Sequence, residues 1–176
     1  MGSIYTIFAA RELLVKDLSL EREPRILLVD DEPDILGMLQ RAISREWPRA
    51  TIALAHDAAE AERNIAEHDW DVVVSDYRMP GKDGVSILSD VRAHHARTIR
   101  ILFTAHPELD AAVRAINDAH VERFLTKPID MADFAQAVKK AWDSKRAGDV
   151  RAAAFARTLH VLNTERRASP PDQDGQ

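Results

Sequence analysis

From Arg25 onward the chain alternates between two hydrophobic patterns. Short continuous apolar runs give way to turn residues, and then to stretches whose apolar positions recur three and four residues apart, the period of a helix with one buried face. RILLVDD (Arg25–Asp31) predicts a first strand. Pro33 suits the first turn of the helix after it, because the missing N–H would have no intrahelical partner there. That helix puts Ile35, Met38, Leu39, Ala42 and Ile43 on one face and ends near Trp47-Pro48. TIALA (Thr51–Ala55) predicts a second, less apolar strand, and Asp57–Glu67, rich in alanine and glutamate, a second helix. DVVVSD (Asp71–Asp76) is a third strand, and Val85, Ile87, Leu88 and Val91 mark a third helix. RILFTA (Arg100–Ala105), a helix over Glu108–Asn117 and RFLTKP (Arg123–Pro128) follow. Asp130 then caps a last helix whose apolar positions include Phe134, Val138 and Trp142.

Such alternation is a βα repeat, and uninterrupted apolar strands such as LLV, VVV and ILF are what a parallel sheet covered on both faces requires. The expected fold is α/β, a doubly wound five-stranded parallel sheet flanked by five helices, over residues 24–146. Ligands of such sheets bind outside the carboxyl ends of the strands, where the strand order switches. At those ends the sequence places Asp30 and Asp31, Asp76, Thr104, and Lys127.

Three carboxylates gathered there raise one another's pKa unless a cation lies between them. Oxygen donors in that number suit a hard ion, and Mg²⁺ typically takes one or two carboxylates and keeps several waters. A carboxylate is also a nucleophile toward a phosphoryl group, a transfer for which a protein mainly supplies position and charge stabilisation. Asp76 closes the most apolar strand and is the expected acceptor, with Asp30 and Asp31 holding the metal, Lys127 pairing with a phosphate oxygen and Thr104 donating to another. Taken singly, each residue has an ordinary reading. Asp30, Asp31 and Asp76 would be helix caps, Lys127 a surface charge, Thr104 a strand end and Phe124 core, while Gly81, Asp83 and Gly84 would be turn residues. Their joint occurrence at one rim is what points to chemistry.

LLVDDEP (Leu27–Pro33), DYRMPGKDG (Asp76–Gly84), the Thr104-Ala105 pair and FLTKP (Phe124–Pro128) resemble, in this order and at these spacings, the receiver domain of bacterial response regulators, over about Arg25–Arg146. The resemblance implies a flavodoxin- or CheY-like fold, with Asp76 as phosphoacceptor and Mg²⁺ held by Asp30, Asp31, Asp76 and the backbone carbonyl of Arg78. It further implies that Thr104 and Phe124 are a switch pair, that Lys127 binds phosphate, and that the peptide before Pro128 is cis. Arg78, two residues past the acceptor, is expected to reach over the phosphoryl group and hinder water, whereas the small Ala105 leaves access open. The two act on dephosphorylation in opposite directions.

Composition narrows the function classes. With 45% hydrophobic and 30% charged residues the chain is of ordinary globular type, and a net charge of −5 disfavours a general nucleic-acid coat. The absence of cysteine excludes disulfides, thiolate zinc sites and a cysteine nucleophile. The seven histidines are scattered, apart from the adjacent His94-His95, which point to different helix faces. No apolar run approaches the ~20 residues that cross a bilayer, and IYTIFAA near the start lacks a preceding basic residue, so a cytoplasmic protein is expected.

Outside the central domain, residues 1–23 form an expected helical arm with Ile4, Phe8, Leu14 and Leu18 as apolar positions. Residues 147–167 form an expected helical extension, either continuing the last helix or starting another, with a narrow stripe of Ala152, Phe155, Leu159 and Leu162; residues 168–176 are an expected disordered tail. The arm and extension are expected to pack together or across a homodimer. The expected function is a response regulator that accepts a phosphoryl group from a histidine kinase or phosphotransfer protein and signals to a downstream protein partner, not an enzyme with turnover. Two alternatives differ in class. A haloacid-dehalogenase-like phosphatase would carry D-x-D after its first strand, where this chain has adjacent aspartates; a DNA-binding regulator would act through Arg151, Arg157, Arg166 and Arg167, which otherwise read as a solvated face.

Overall fold

The computed structural model describes residues 22–105 and 109–168. The expected arm lies outside them except for Arg22 and Glu23, as does the tail apart from Ala168. The described elements are β1 (Arg25–Val29), α1 (Pro33–Glu46), β2 (Thr51–Ala55), α2 (Ala58–Glu67), β3 (Val72–Asp76), α3 (Gly84–His94), β4 (Ile99–Thr104), α4 (Leu109–Asn117), β5 (Arg123–Thr126) and α5 (Met131–Ala168). Local chemistry explains the helix starts. Pro33 opens α1; the carboxylates of Asp57 and Asp83 accept from the N–H groups of Glu60 and Ser86 at 2.7 and 2.8 Å. Asp130 accepts from Ala132 N at 2.7 Å. Each aspartate satisfies an N–H that the first helical turn leaves without a partner.

All five strands are parallel, in the order β2-β1-β3-β4-β5. From β1 the chain steps outward to β2 and then returns across to β3, so the order reverses between β1 and β3. Alternate strand residues face opposite ways. Ile26, Leu28, Val72, Val74, Ile101 and Phe103 bury one face against α1 and α5, while Leu27, Val29, Val73 and Leu102 bury the other against α2, α3 and α4. Both faces are therefore covered, which is why the central strands are apolar at consecutive positions.

Two strands end earlier than the ranges expected for them, β1 at Val29 and β5 at Thr126. Asp30 and Asp31 lie beyond β1, and Lys127 and Pro128 beyond β5. At the opposite end, Arg100 of β4 is almost wholly buried. Its guanidinium donates to the carbonyls of Thr98, Ala119 and His120 at 2.7, 2.8 and 3.1 Å and to Glu122 Oε1 at 2.8 Å. Burial pushes its pKa down from the usual arginine value, but these acceptors keep the charge compensated.

Residues Arg22–Asp143 form one compact unit, and the chain from Ser144 belongs to a second. Helix α5 is continuous through Ala168, so the expected boundary near residue 146 falls within a helix. On it Phe155 is 66% exposed, while the side chains of Leu159 and Leu162 lie outside those described. Among the described residues no helix is long and apolar enough to cross a membrane.

Candidate functional site

The buried strand β3 ends in a charge because its last residue, Asp76, reaches the rim where the strand order reverses. All five β3 residues are buried, Asp76 included at 7% exposure. The chain then turns through a tight loop with Gly81 at φ 89°, a left-handed conformation that L side chains resist, and re-enters a helix at Gly84. Gly84 N donates to Tyr77 O at 3.0 Å. A Cβ on Gly84 would lie inside contact distance of the Asp76 carbonyl oxygen and 2.7 Å from Ser75 Oγ. Only glycine lets α3 begin directly against the end of β3. Ser75 Oγ donates to the same carbonyl at 2.9 Å, and Arg78 N donates to Asp76 Oδ2 at 2.6 Å.

Lys127 reaches across this rim. Its Nζ donates to Asp30 Oδ2 at 2.8 Å and forms an ion pair with Asp76 Oδ1 at 2.7 Å. It also stands 5.1 Å from the centre of the Phe103 ring. Burial alone would lower the Lys127 pKa, but the two carboxylates outweigh it and the net direction is up. Asp30 is 1% exposed, and its burial raises its pKa despite the opposing hydrogen bonds from Lys127 and from Glu32 N at 2.9 Å. Two buried acids thus share one ammonium.

Asp31 does not join them: it is exposed, and among the described residues no three histidine, cysteine or acidic side chains gather as a metal cluster. The donors near Asp76 are nonetheless carboxylates and backbone carbonyls, hard oxygen ligands of the kind Mg²⁺ accepts while retaining water. In donor chemistry Asp30, Asp31, Asp76 and the carbonyl of Arg78 fit that ion.

Thr104 ends β4 one residue beyond Phe103, the partner of Asp76 in the β3–β4 register, and is 1% exposed. Its carbonyl accepts from Lys127 N at 2.7 Å. Ala105 beside it is exposed, and Phe124 is half-buried against the α2–α4 face. The Lys127–Pro128 peptide is cis. Next to Lys127 opens a cleft of about 520 Å³ lined by Ile35, Met38, Phe103, Ala105 and residues 127–131. The sequence pattern marks Gly84 and Asp83 only as turn residues and gives Ser75 no role. The signal available for them was the Asp-Gly pair at a helix start, but closeness to the Asp76 carbonyl needs the fold to be seen.

Comparison with known proteins gives a consistent result. The family described as "Response regulator receiver domain" matches residues 26–139. The DNA-binding transcriptional regulator NtrC of Escherichia coli K12 is 34% identical over 116 residues, covering 66% of this chain and 24% of that protein. The transcriptional regulatory protein PrrA of Mycobacterium tuberculosis is 34% identical over 116 residues, covering 66% of this chain and 48% of its own length. The chain thus spans about a quarter to just under a half of the length of these relatives. Among solved structures, the signal receiver domain of an HD domain-containing protein from Pseudomonas fluorescens Pf-5 superposes with a TM-score of 0.67 at 34% identity, covering 72% of this chain and 99% of that one.

Proposed function

Because the chain belongs to the response regulator receiver domain family, we propose that it takes a phosphoryl group onto Asp76 from the phosphohistidine of a histidine kinase or phosphotransfer protein and passes the signal to a protein partner. The single observation that carries this reading is the shared ion pair: Lys127 at 2.8 Å from Asp30 and 2.7 Å from Asp76. A buried carboxylate at a strand end with a lysine beside it is poised as nucleophile and charge stabiliser together.

The transfer breaks the P–N bond of the donor and forms a P–O bond to an Asp76 carboxylate oxygen, while the donor imidazole keeps the electron pair. Arg78 N, bound to Oδ2, fixes the carboxylate for in-line attack. Lys127 stands ready to shift from carboxylate to phosphoryl oxygen, and the buried hydroxyl of Thr104 supplies a further donor, with Phe124 turning inward as it moves. Asp30, Asp31, Asp76 and the Arg78 carbonyl would hold Mg²⁺, which when bound would neutralise charge on the phosphoryl oxygens. The apolar cleft beside Lys127 offers Ile35 and Met38 to the donor protein. Turnover of a substrate is not part of this reading, and a cytoplasmic location accords with it.

Incubation with a small phosphodonor and Mg²⁺, followed by intact mass, tests the assignment. The parent is expected to gain the mass of one phosphoryl group and Asp76→Asn none; an unmodified parent, or a variant labelled to the same extent, would overturn it. Sustained hydrolysis of a phosphate monoester would instead favour a phosphatase.

A further inference from the structure

Helix α5 runs past Trp142, next to the end of the compact unit Arg22–Asp143, and continues without a break to Ala168. At ~3.6 residues per turn, Trp142, Arg146, Asp149 and Val150 share one face of it. Trp142 is buried, and Arg146, Asp149 and Val150 are half-buried, with Nε of Arg146 shut off from solvent. The far side of the same turns is open: Arg151 and Ala152 are exposed, as is Phe155. A helix with nothing against it would be equally open all round, so this face has a cover. The cover ends before Ala153, which lies on the same side and is exposed. Arg22 stands at the start of that face. Its Nη1 and Nη2 donate to Oδ2 and Oδ1 of Asp71 at 2.6 Å each, and its guanidinium lies 5.5 Å from the centre of the Trp142 ring. The residues before Arg22 therefore enter the fold beside Trp142.

We propose that the cover is Leu14–Glu21 of the same chain, laid antiparallel along α5 from Trp142 to Val150. These residues lie outside those described, and three features of the chain select them. Their reach fits: at ~1.5 Å per residue, a helical Leu14–Glu21 and the stretch Trp142–Val150 each span roughly 12 Å. Their apolar pattern fits as well. With Arg22 at Trp142, equal rise brings Leu18 level with Arg146 and Leu14 level with Val150, so two leucines four residues apart on one helical face meet the half-buried turns. The charges are complementary: Asp17 and Glu21 border those leucines and are opposite in sign to Lys145 and Arg146, while Asp149 accepts from Lys145 Nζ at 3.1 Å within α5. The end of the arm is thus a strap that closes one face of α5 to other proteins and leaves the face of Phe155 outward. The strap is independent of whether Asp76 takes a phosphoryl group.

The chain has no cysteine, so introduced pairs report contact without background. In the full chain, Leu14→Cys with Val150→Cys is expected to be bridged within one molecule by a short bismaleimide of ~8 Å reach, about the separation of packed helices. Leu14→Cys with Arg151→Cys, on the far side of α5, is expected to remain unbridged. Intact mass and a denaturing gel read both. A Val150 pair left unbridged, a far-side pair bridged to the same extent, or a bridge that joins two molecules would overturn the proposal, the last by giving the face to a second copy. A second measurement needs no cysteine. Leu14→Asp combined with Leu18→Asp is expected to speed amide hydrogen exchange across residues 146–151 about tenfold, the effect of releasing one locally held segment, and to leave β3 and β4 at the parent's rate. Exchange unchanged in α5, or raised equally in the strands, would also overturn the strap.

Discussion

Gly84 is the residue on which the geometry of Asp76 turns most sharply. A methyl group there would meet Ser75 Oγ and the Asp76 carbonyl, and the carbonyl, being backbone, cannot yield without moving β3. Gly84→Ala is expected to cost ~1–3 kcal/mol, the range for overpacking, and to slow labelling of Asp76 as well. Denaturant unfolding and intact mass on the same sample check both. Arg78 offers a milder effect. Its backbone N–H holds Asp76 whatever the side chain, so Arg78→Ala is expected to spare labelling and to speed loss of the phosphoryl group by up to about tenfold, ~1.4 kcal/mol in the barrier. An unchanged decay rate would remove the shielding role. Asp30, Asp76 and Lys127 were legible as a group because each directly follows or ends a strand of one parallel sheet. The outward position of Asp31 was not, since adjacent residues past a strand end share no fixed direction. Nor was the Asp83–Arg114 contact, which joins residues far apart in sequence through helix packing alone.

At the level of elements, period and punctuation carried most of the information. Pro33, Asp57, Asp83 and Asp130 all stand at helix starts, and the apolar runs all lie in strands. Strand ends were harder to read, because a polar residue directly after an apolar run can still be extended, and the expected ranges took in Asp30-Asp31 and Lys127-Pro128, which lie past Val29 and Thr126. The start of α3 yields a prediction with a pH dependence. Burial alone would raise the Asp83 carboxyl, but the Ser86 N–H and Arg114 bring it below the usual carboxylate value. A carboxyl lowered on folding stabilises the native state above its unfolded pKa, and that contribution is lost as pH falls through the folded one. Asp83→Ala is therefore expected to be less stable than the parent by ~1 kcal/mol at neutral pH, with the gap closing below about pH 4. Urea titrations at several pH values would show it, and a gap independent of pH would contradict the assignment.

For the whole molecule, the unit Arg22–Asp143 contains both faces of the sheet and the entire rim. Trp142, 3% exposed and beneath the Arg22 guanidinium at 5.5 Å, is its last large anchor. A chain ending after Lys145 is expected to unfold in one cooperative step. One ending after Ala141 is expected to lose ~3–5 kcal/mol, the scale of deleting a buried aromatic. Thermal scans of the two would decide it. The sequence left open whether the last helix continues past the domain or a second one starts, because neither its periodicity nor its alanine content decides between them; the helix runs on to Ala168.

The buried arginine at the foot of β4 separates two demands on this protein. Carbonyls and a glutamate gather around one guanidinium at the end of the sheet farthest from Asp76, so the partners that compensate this buried cation lie apart from the rim. If Asp76 accepts a phosphoryl group as proposed, exposed side chains near the rim such as Arg78 and Ala105 can be exchanged to retune how long that mark persists while the foot of the sheet stays as it is.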